Sequence, residues 1–271
     1  MFRVAFFIVQ NGGALMIDLI KLYGTDENLQ ENCRYCKECW KGYEEQKIKS
    51  YVQKPYYPYI GDSYKGILFS GINLNGGNDE IDCIHSLVKE AKKYISNGKK
   101  RIFKSATYGG SEFYYHIPII ANMYTVLLES PELDNNVSDL SPENIAQGFQ
   151  YLALTNLIKC STEINRSTPT PAMYENCLKI FVSEISNIHY KVLILFTLHK
   201  YIRIEKYFND FKKISDDGGY RLWSNGEKYI LEYGHPVSTS LTSEEKFEYY
   251  FTGIKNLIEK INTQNANTAE A

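Results

Sequence analysis

The chain has 271 residues and an ordinary apolar fraction of 44%, which suffices for a substantial core and suggests one domain with insertions rather than two large ones. Its formal charge is −2, with 30 Lys and Arg against 32 Asp and Glu, so no global positive field advertises a nucleic-acid partner. Any such partner has to be held by a local patch, and the densest basic cluster, "NGKKRIFK" at 97–104, has the composition of a solvated helix end.

The opening "MFRVAFFIVQNGGALM" has one basic residue and a short apolar run that Gln10 and Asn11 interrupt. That is too short for a secretory signal; a first strand, or an over-extended start upstream of Met16 that leaves the origin of residues 1–15 open, is expected instead. No stretch approaches the apolar length of a membrane span. The expectation is a soluble, cytoplasmic protein of prokaryotic type with no membrane partner. Six cysteines without an export signal point to reduced thiols, and so to metal or cluster binding before disulfides.

"GILFSGI" (66–72) is a short apolar run ending in the Gly-containing "NLNGGND", the pattern of a buried strand entering a loop. Ile81, Ile84, Leu87, Val88, Ala91, Tyr94 and Ile95 follow at helical spacing, and so do Ile119, Ile120, Met123, Val126 and Leu127. The region from about 129 to 150, with Pro131, "DNN" and Pro142, suggests an insertion or long loop. "YLALTNLI" (151–158) and "YKVLILFTL" (190–198) suit buried strands, with a helix between them carrying Leu178, Phe181, Val182 and Ile185. "KYILEYG" (228–234) is a fourth strand. After "HPVST", the segment "TSEE" (242–245) fits a capping box, and Phe247, Tyr250, Phe251, Ile254, Leu257 and Ile258 line one face of the last helix. The tail 262–271 has no periodicity and suggests disorder. The predicted organisation is an N-terminal extension over 1–30, a domain over 31–261 and the tail. Strands alternating with helices imply a three-layer α/β/α sandwich on a mostly parallel four-stranded sheet.

Ligands of such sheets bind outside the carboxyl ends of the strands. Asn73 follows the first strand, Asn156 lies near the end of the second and His235 follows the fourth. Each alone also suits a turn, a cap or an incidental surface position, but together they mark one edge as a candidate cleft.

The order "GINLN", "LTNLIKC…NRSTPTP…ENC", "KVLILF" and "GHPVST" resembles the uracil-DNA glycosylase superfamily, most closely its iron–sulfur branch. The resemblance runs from about Cys33 to Ile258, and "TNLIKC…NR…C" is its most specific part. It implies a DNA-repair hydrolase acting in base excision, a monomer that flips a uracil or other deaminated base from DNA and hydrolyses its N-glycosidic bond. A non-catalytic nucleic-acid or nucleotide-binding iron–sulfur protein of the same fold is the alternative. By resemblance, Asn156 reads the base edge, while His235 stabilises the departing base. Phe113, with Tyr108 nearby in "YGGSEFYYH", stacks on the base. Ser238, Thr239 and Lys159 fall where DNA phosphate is contacted.

The resemblance also implies a [4Fe–4S] cluster on two N-terminal and two central cysteines, here Cys33, Cys36, Cys160 and Cys177, with Cys39 an alternative to Cys33. A structural Zn on the same thiolates is the other possibility. Cys83, on a predicted helix face, suits packing instead. Two departures stand out. The first motif has Asn73 and Leu74 where the iron–sulfur branch has an acid followed by Ala-Pro-Gly, nearer the Asn-containing motif of the mismatch-specific branch. An amide takes no proton, so Asn73 would only orient the attacking water. Val237 displaces Ser238 by one position in "HPVST", which alters the expected phosphate contact.

Overall fold

The computed structural model describes residues 7–10, 13–16, 52–53, 58–71, 84–98, 110–132, 141–158, 161–162, 171–197, 204–234 and 241–269. Strands β1 (Phe7–Gln10) and β2 (Gly13–Met16) pair as an antiparallel hairpin. A second small ladder joins β3 (Val52–Gln53) to β7 (Ser161–Thr162). The remaining strands are β4 (Tyr59–Ile60), β5 (Ile67–Gly71), β6 (Leu152–Asn156), β8 (Val192–Leu195), β9 (Lys212–Asp216), β10 (Tyr220–Ser224) and β11 (Tyr229–Tyr233). They form one seven-stranded sheet in the order β4-β6-β5-β8-β11-β10-β9.

The four inner strands, β6-β5-β8-β11, are parallel and are the four that the apolar runs identify. All their residues are buried, as expected of strands covered on both faces. Their side chains alternate between two cores. Ile67, Phe69, Leu152, Leu154, Val192 and Ile194 enter one, while Leu68, Ala153, Leu193, Leu195 and Ile230 enter the other. A fully buried Leu, Ile or Phe contributes about 1.5–3 kcal/mol, so these two faces carry much of the folding free energy.

The expected four-stranded sheet is thus corrected to seven strands, because β4, β10 and β9 add antiparallel edges. These edges lack the long apolar run that identifies a central strand. β4 has two residues, and β9 reads "KKISD" with mostly exposed side chains. Their joining turns do carry hairpin chemistry. Gly218 and Gly226 have positive φ (84° and 92°), and Asp217 Oδ1 accepts from the Gly219 and Tyr220 N–H groups at 2.9 Å each.

Helices cover both faces. Three of those on the first face are α1 (Ile84–Ser96), α2 (Gly110–Glu129) and α3 (Pro142–Gln147). The second face has α4 (Pro171–Ser186) and the short α5 (Ile204–Tyr207), and α6 (Ser243–Ala269) returns to the first. α1 turns Val88, Ala91 and Ile95 inward. From Phe113 to Leu127 α2 is buried nearly all round, as befits a central helix packed beneath α1, α3 and α6.

Two further expectations change. The second half of the supposed loop at 129–150 is α3 followed by a 3-10 turn, which sends Ile145, Ala146 and Phe149 into the core; Ser141 Oγ caps α3 by accepting from the Asn144 N–H at 3.2 Å. The supposed tail continues α6 to Ala269. No apolar stripe is needed there, because Gln264 ties that turn to the Gly226 carbonyl and the Tyr229 hydroxyl. The "TSEE" box forms as expected: the Thr242 N–H donates to Glu245 Oε2 at 2.6 Å and the Glu245 N–H to Thr242 Oγ1 at 3.2 Å.

Candidate functional site at the carboxyl edge of the parallel sheet

From the end of β5 the chain proceeds to β6 on one side, and from the end of β8 it proceeds to β11 on the other. Connections that diverge from neighbouring parallel strands open a crevice at their carboxyl ends, between β5 and β8. Parallel registry brings Gly71 opposite Asn156 and Ser70 opposite Leu195, which in turn faces Glu232. One residue further, the row across the sheet is Asn156, Gly71, Phe196 and Tyr233.

That row lies at the carboxyl edge of the sheet, where the two connections diverge. A Cβ on Gly71 would lie 2.7 Å from Asn156 Oδ1 and 3.3 Å from Phe113 Cζ, so the glycine lets an amide and an aromatic ring meet over β5. Phe113 packs edge-on against Phe196 (centroids 5.4 Å apart, 79°) and Tyr114 (5.3 Å, 87°), and Phe196 stacks with Tyr233 at 6.3 Å. Asn156 is 5% exposed, and its Nδ2 has no hydrogen-bond partner among the described residues. An orphan buried amide costs about 1–3 kcal/mol, and an unpaired donor at a sheet switch point is suited to a ligand acceptor.

The preceding row, Thr155, Ser70, Leu195 and Glu232, faces α4 and α5, and its polar members have partners. Ser70 Oγ donates to the Gly71 carbonyl at 3.0 Å, Thr155 Oγ1 donates to the wholly buried Glu184 of α4, and Trp223 Nε1 donates to Glu232 at 2.9 Å. Burial pushes the Glu232 carboxyl above the ordinary glutamate range, with the Trp223 bond and Arg221 opposing it. The end of β11 is fixed by the Gly234 N–H, which donates to the Tyr249 hydroxyl at 3.1 Å, while that hydroxyl donates to the Gly219 carbonyl.

Two of the site residues singled out in the sequence, Asn156 and Phe113, therefore lie together over Gly71. Cys177 is buried on α4 in the same apolar cluster as Leu157 and Ile158, the residues leaving β6. Asn73, Tyr108, Lys159, His235, Ser238, Thr239, Cys33, Cys36, Cys39 and Cys160 lie outside the described residues. Among the described residues no group of three metal-ligating side chains occurs, and no helix is long and apolar enough to cross a membrane. Sequence reasoning missed Gly71, Glu184 and Phe196. The glycine near the end of an otherwise bulky buried strand was the available signal for the first.

A separate open cleft of about 510 Å³ lies at the opposite edge, between the β10–β11 turn and α6, lined in part by Lys212, Asn225, Tyr229, Lys260 and Gln264. Two of its polar groups serve the fold: Asn225 Oδ1 accepts from the Glu227 and Lys228 N–H groups, and Gln264 holds the turn. The chain matches no protein-family model and no curated protein sequence.

Proposed function

We propose that the crevice receives a base flipped out of DNA and that the protein hydrolyses the N-glycosidic bond of uracil or another deaminated base. The observation that carries this reading is Asn156: a buried amide at the carboxyl end of a parallel strand, with no partner for its Nδ2 among the described residues, beside a glycine that admits an aromatic ring. An amide offers a donor and an acceptor to the carbonyl and imide N–H of uracil, and Phe113 supplies an apolar ring against the base face. As the C–N bond breaks, water bonds to the sugar carbon and the base leaves as an anion that then takes a proton. His235, following Gly234 at the end of β11, is the proposed donor to that anion, and Asn73 the group that orients the water. Tyr108 would border the base, and Ser238, Thr239 and Lys159 would meet phosphate.

The β3–β7 ladder supports the cysteine assignment. It pairs Gln53 with Ser161, the residue after Cys160, so the N-terminal segment returns to the exit of β6. Cys177 sits behind that exit. Thiolates of Cys33 (or Cys39), Cys36, Cys160 and Cys177 would cross-link these segments through a [4Fe–4S] cluster, or zinc, as a structural staple.

The test is a gel assay on single-stranded and mispaired uracil-containing DNA. The native protein is expected to give alkali-labile abasic product, and Asn156→Ala and His235→Ala to lower its rate at least a hundredfold. Specific DNA binding with no product at enzyme excess would establish instead the non-catalytic reading, which the loss of the acid at Asn73 favours.

A further inference from the structure

Thr155 and Asn156 are neighbours on β6 whose side chains leave the sheet on opposite faces, Asn156 toward Phe113 of α2 and Thr155 toward α4. Beneath Thr155 lies Glu184. Both residues are wholly buried, and the Thr155 hydroxyl donates to the Glu184 carboxyl. Glu184 shares the face of α4 that carries Cys177, Phe181 and Ile185 into the second core, where packing alone calls for an apolar side chain. A carboxyl there opposes folding unless its hydrogen bonds are made, so packing does not account for it. The ladder around the pair is one-sided. β4 pairs with Ala153 and Leu154, and Pro58, the next residue back along that strand, has no N–H to extend it. Among the described residues, Thr155 and Asn156 therefore have a strand neighbour only in β5.

We infer that Glu184 is a positioning residue: by holding Thr155 it fixes the end of β6, and with it the Asn156 amide, in the geometry that meets a base. The inference rests on the base-release reading and deepens it. On the β5 side the Leu157 N–H donates to the Gly71 carbonyl at 3.0 Å, and the Asn156 amide rests against Gly71 itself. β5 holds the strand end from beside and Glu184 holds it from beneath. Without the second support the last residues of β6 are free to shift toward their unpaired side, and a displacement of about 1 Å at a reacting group costs on the order of a hundredfold in rate.

Packing and positioning separate when both partners are made apolar. Thr155→Val with Glu184→Leu removes the hydrogen bond without leaving a buried carboxyl unsatisfied, and the full-length double variant is expected to melt at the wild-type temperature or up to about 3 °C higher. In single-turnover release of uracil from single-stranded uracil-containing DNA, with protein in excess, its limiting rate constant is expected to fall about tenfold or more while the half-saturating protein concentration stays within about twofold. Glu184→Gln keeps an acceptor for the Thr155 hydroxyl, and this conservative variant is expected to recover the limiting rate to within about threefold of wild type. A double variant that works at the wild-type rate would overturn the inference, as would one that melts more than about 3 °C lower. So would a loss carried by half-saturation instead of the limiting rate, or a Glu184→Gln variant as slow as the double. Each of these leaves the base-release reading standing, because the wild type still releases uracil. No release by the wild type would overturn that reading, and this inference with it.

Discussion

Ser70, Thr155 and Glu232 are nearly or wholly buried and hydrogen-bonded, whereas Asn156, one residue beyond Thr155, has an Nδ2 with no partner among the described residues. In the next row the Tyr233 hydroxyl donates to the Tyr250 carbonyl at 2.8 Å, which leaves the Asn156 amide as the group of that row that a ligand could satisfy. Glu232 allows a test of the satisfied row. Its folded-state pKa is raised above the ordinary value, so between the two the native state holds more protons than the unfolded state, and stability falls as pH rises through that window. Glu232→Gln keeps an acceptor for Trp223 Nε1 and removes the ionisation. Urea midpoints measured across a pH series are expected to show that decline in the wild type and to lose it in the variant, which is the more stable of the two above the window. Asn156 was legible in the sequence because a polar residue interrupts an apolar run. Glu184 was not, because its pairing with Thr155 depends on how α4 is rotated over the sheet, which periodicity does not specify.

The elements most visible in the sequence are those whose burial is two-sided or strictly periodic. β5, β6, β8 and β11 are continuous apolar runs, and α1, α4 and α6 repeat at helical spacing. β9 and β4 are hidden because an exposed edge strand carries charge or is cut short. The cap of α6 was legible as "TSEE", and its contribution can be measured. Thr242→Ala removes the acceptor for the Glu245 N–H and is expected to cost about 1 kcal/mol, a fall of about 2–4 °C in melting temperature. The last turns of α6 were misread as a tail because Gln264 holds them through polar contacts to the β10–β11 turn, a link between segments remote in sequence.

At the scale of the molecule, the sheet order matters most. Placing β5 between β6 and β8 makes their connections diverge, and that divergence puts Asn156, Gly71 and Phe113 at one crevice. Composition and local pattern suggest an α/β class, but the order of strands is a long-range property, and so the crevice was visible only in part. Both sheet edges are blunted, β4 by its length and β9 by Lys212, Lys213 and a register shift opposite Leu222 and Trp223. The central claim is that this crevice releases a base from DNA. Its most direct test is mass-spectrometric detection of free base after anaerobic incubation of excess protein with DNA strands containing uracil, hypoxanthine or xanthine. The account predicts free uracil or another of these bases from the wild-type protein, and at least a hundredfold less from a folded Asn156→Leu variant; no released base from any strand, or equal release by the variant, would contradict it.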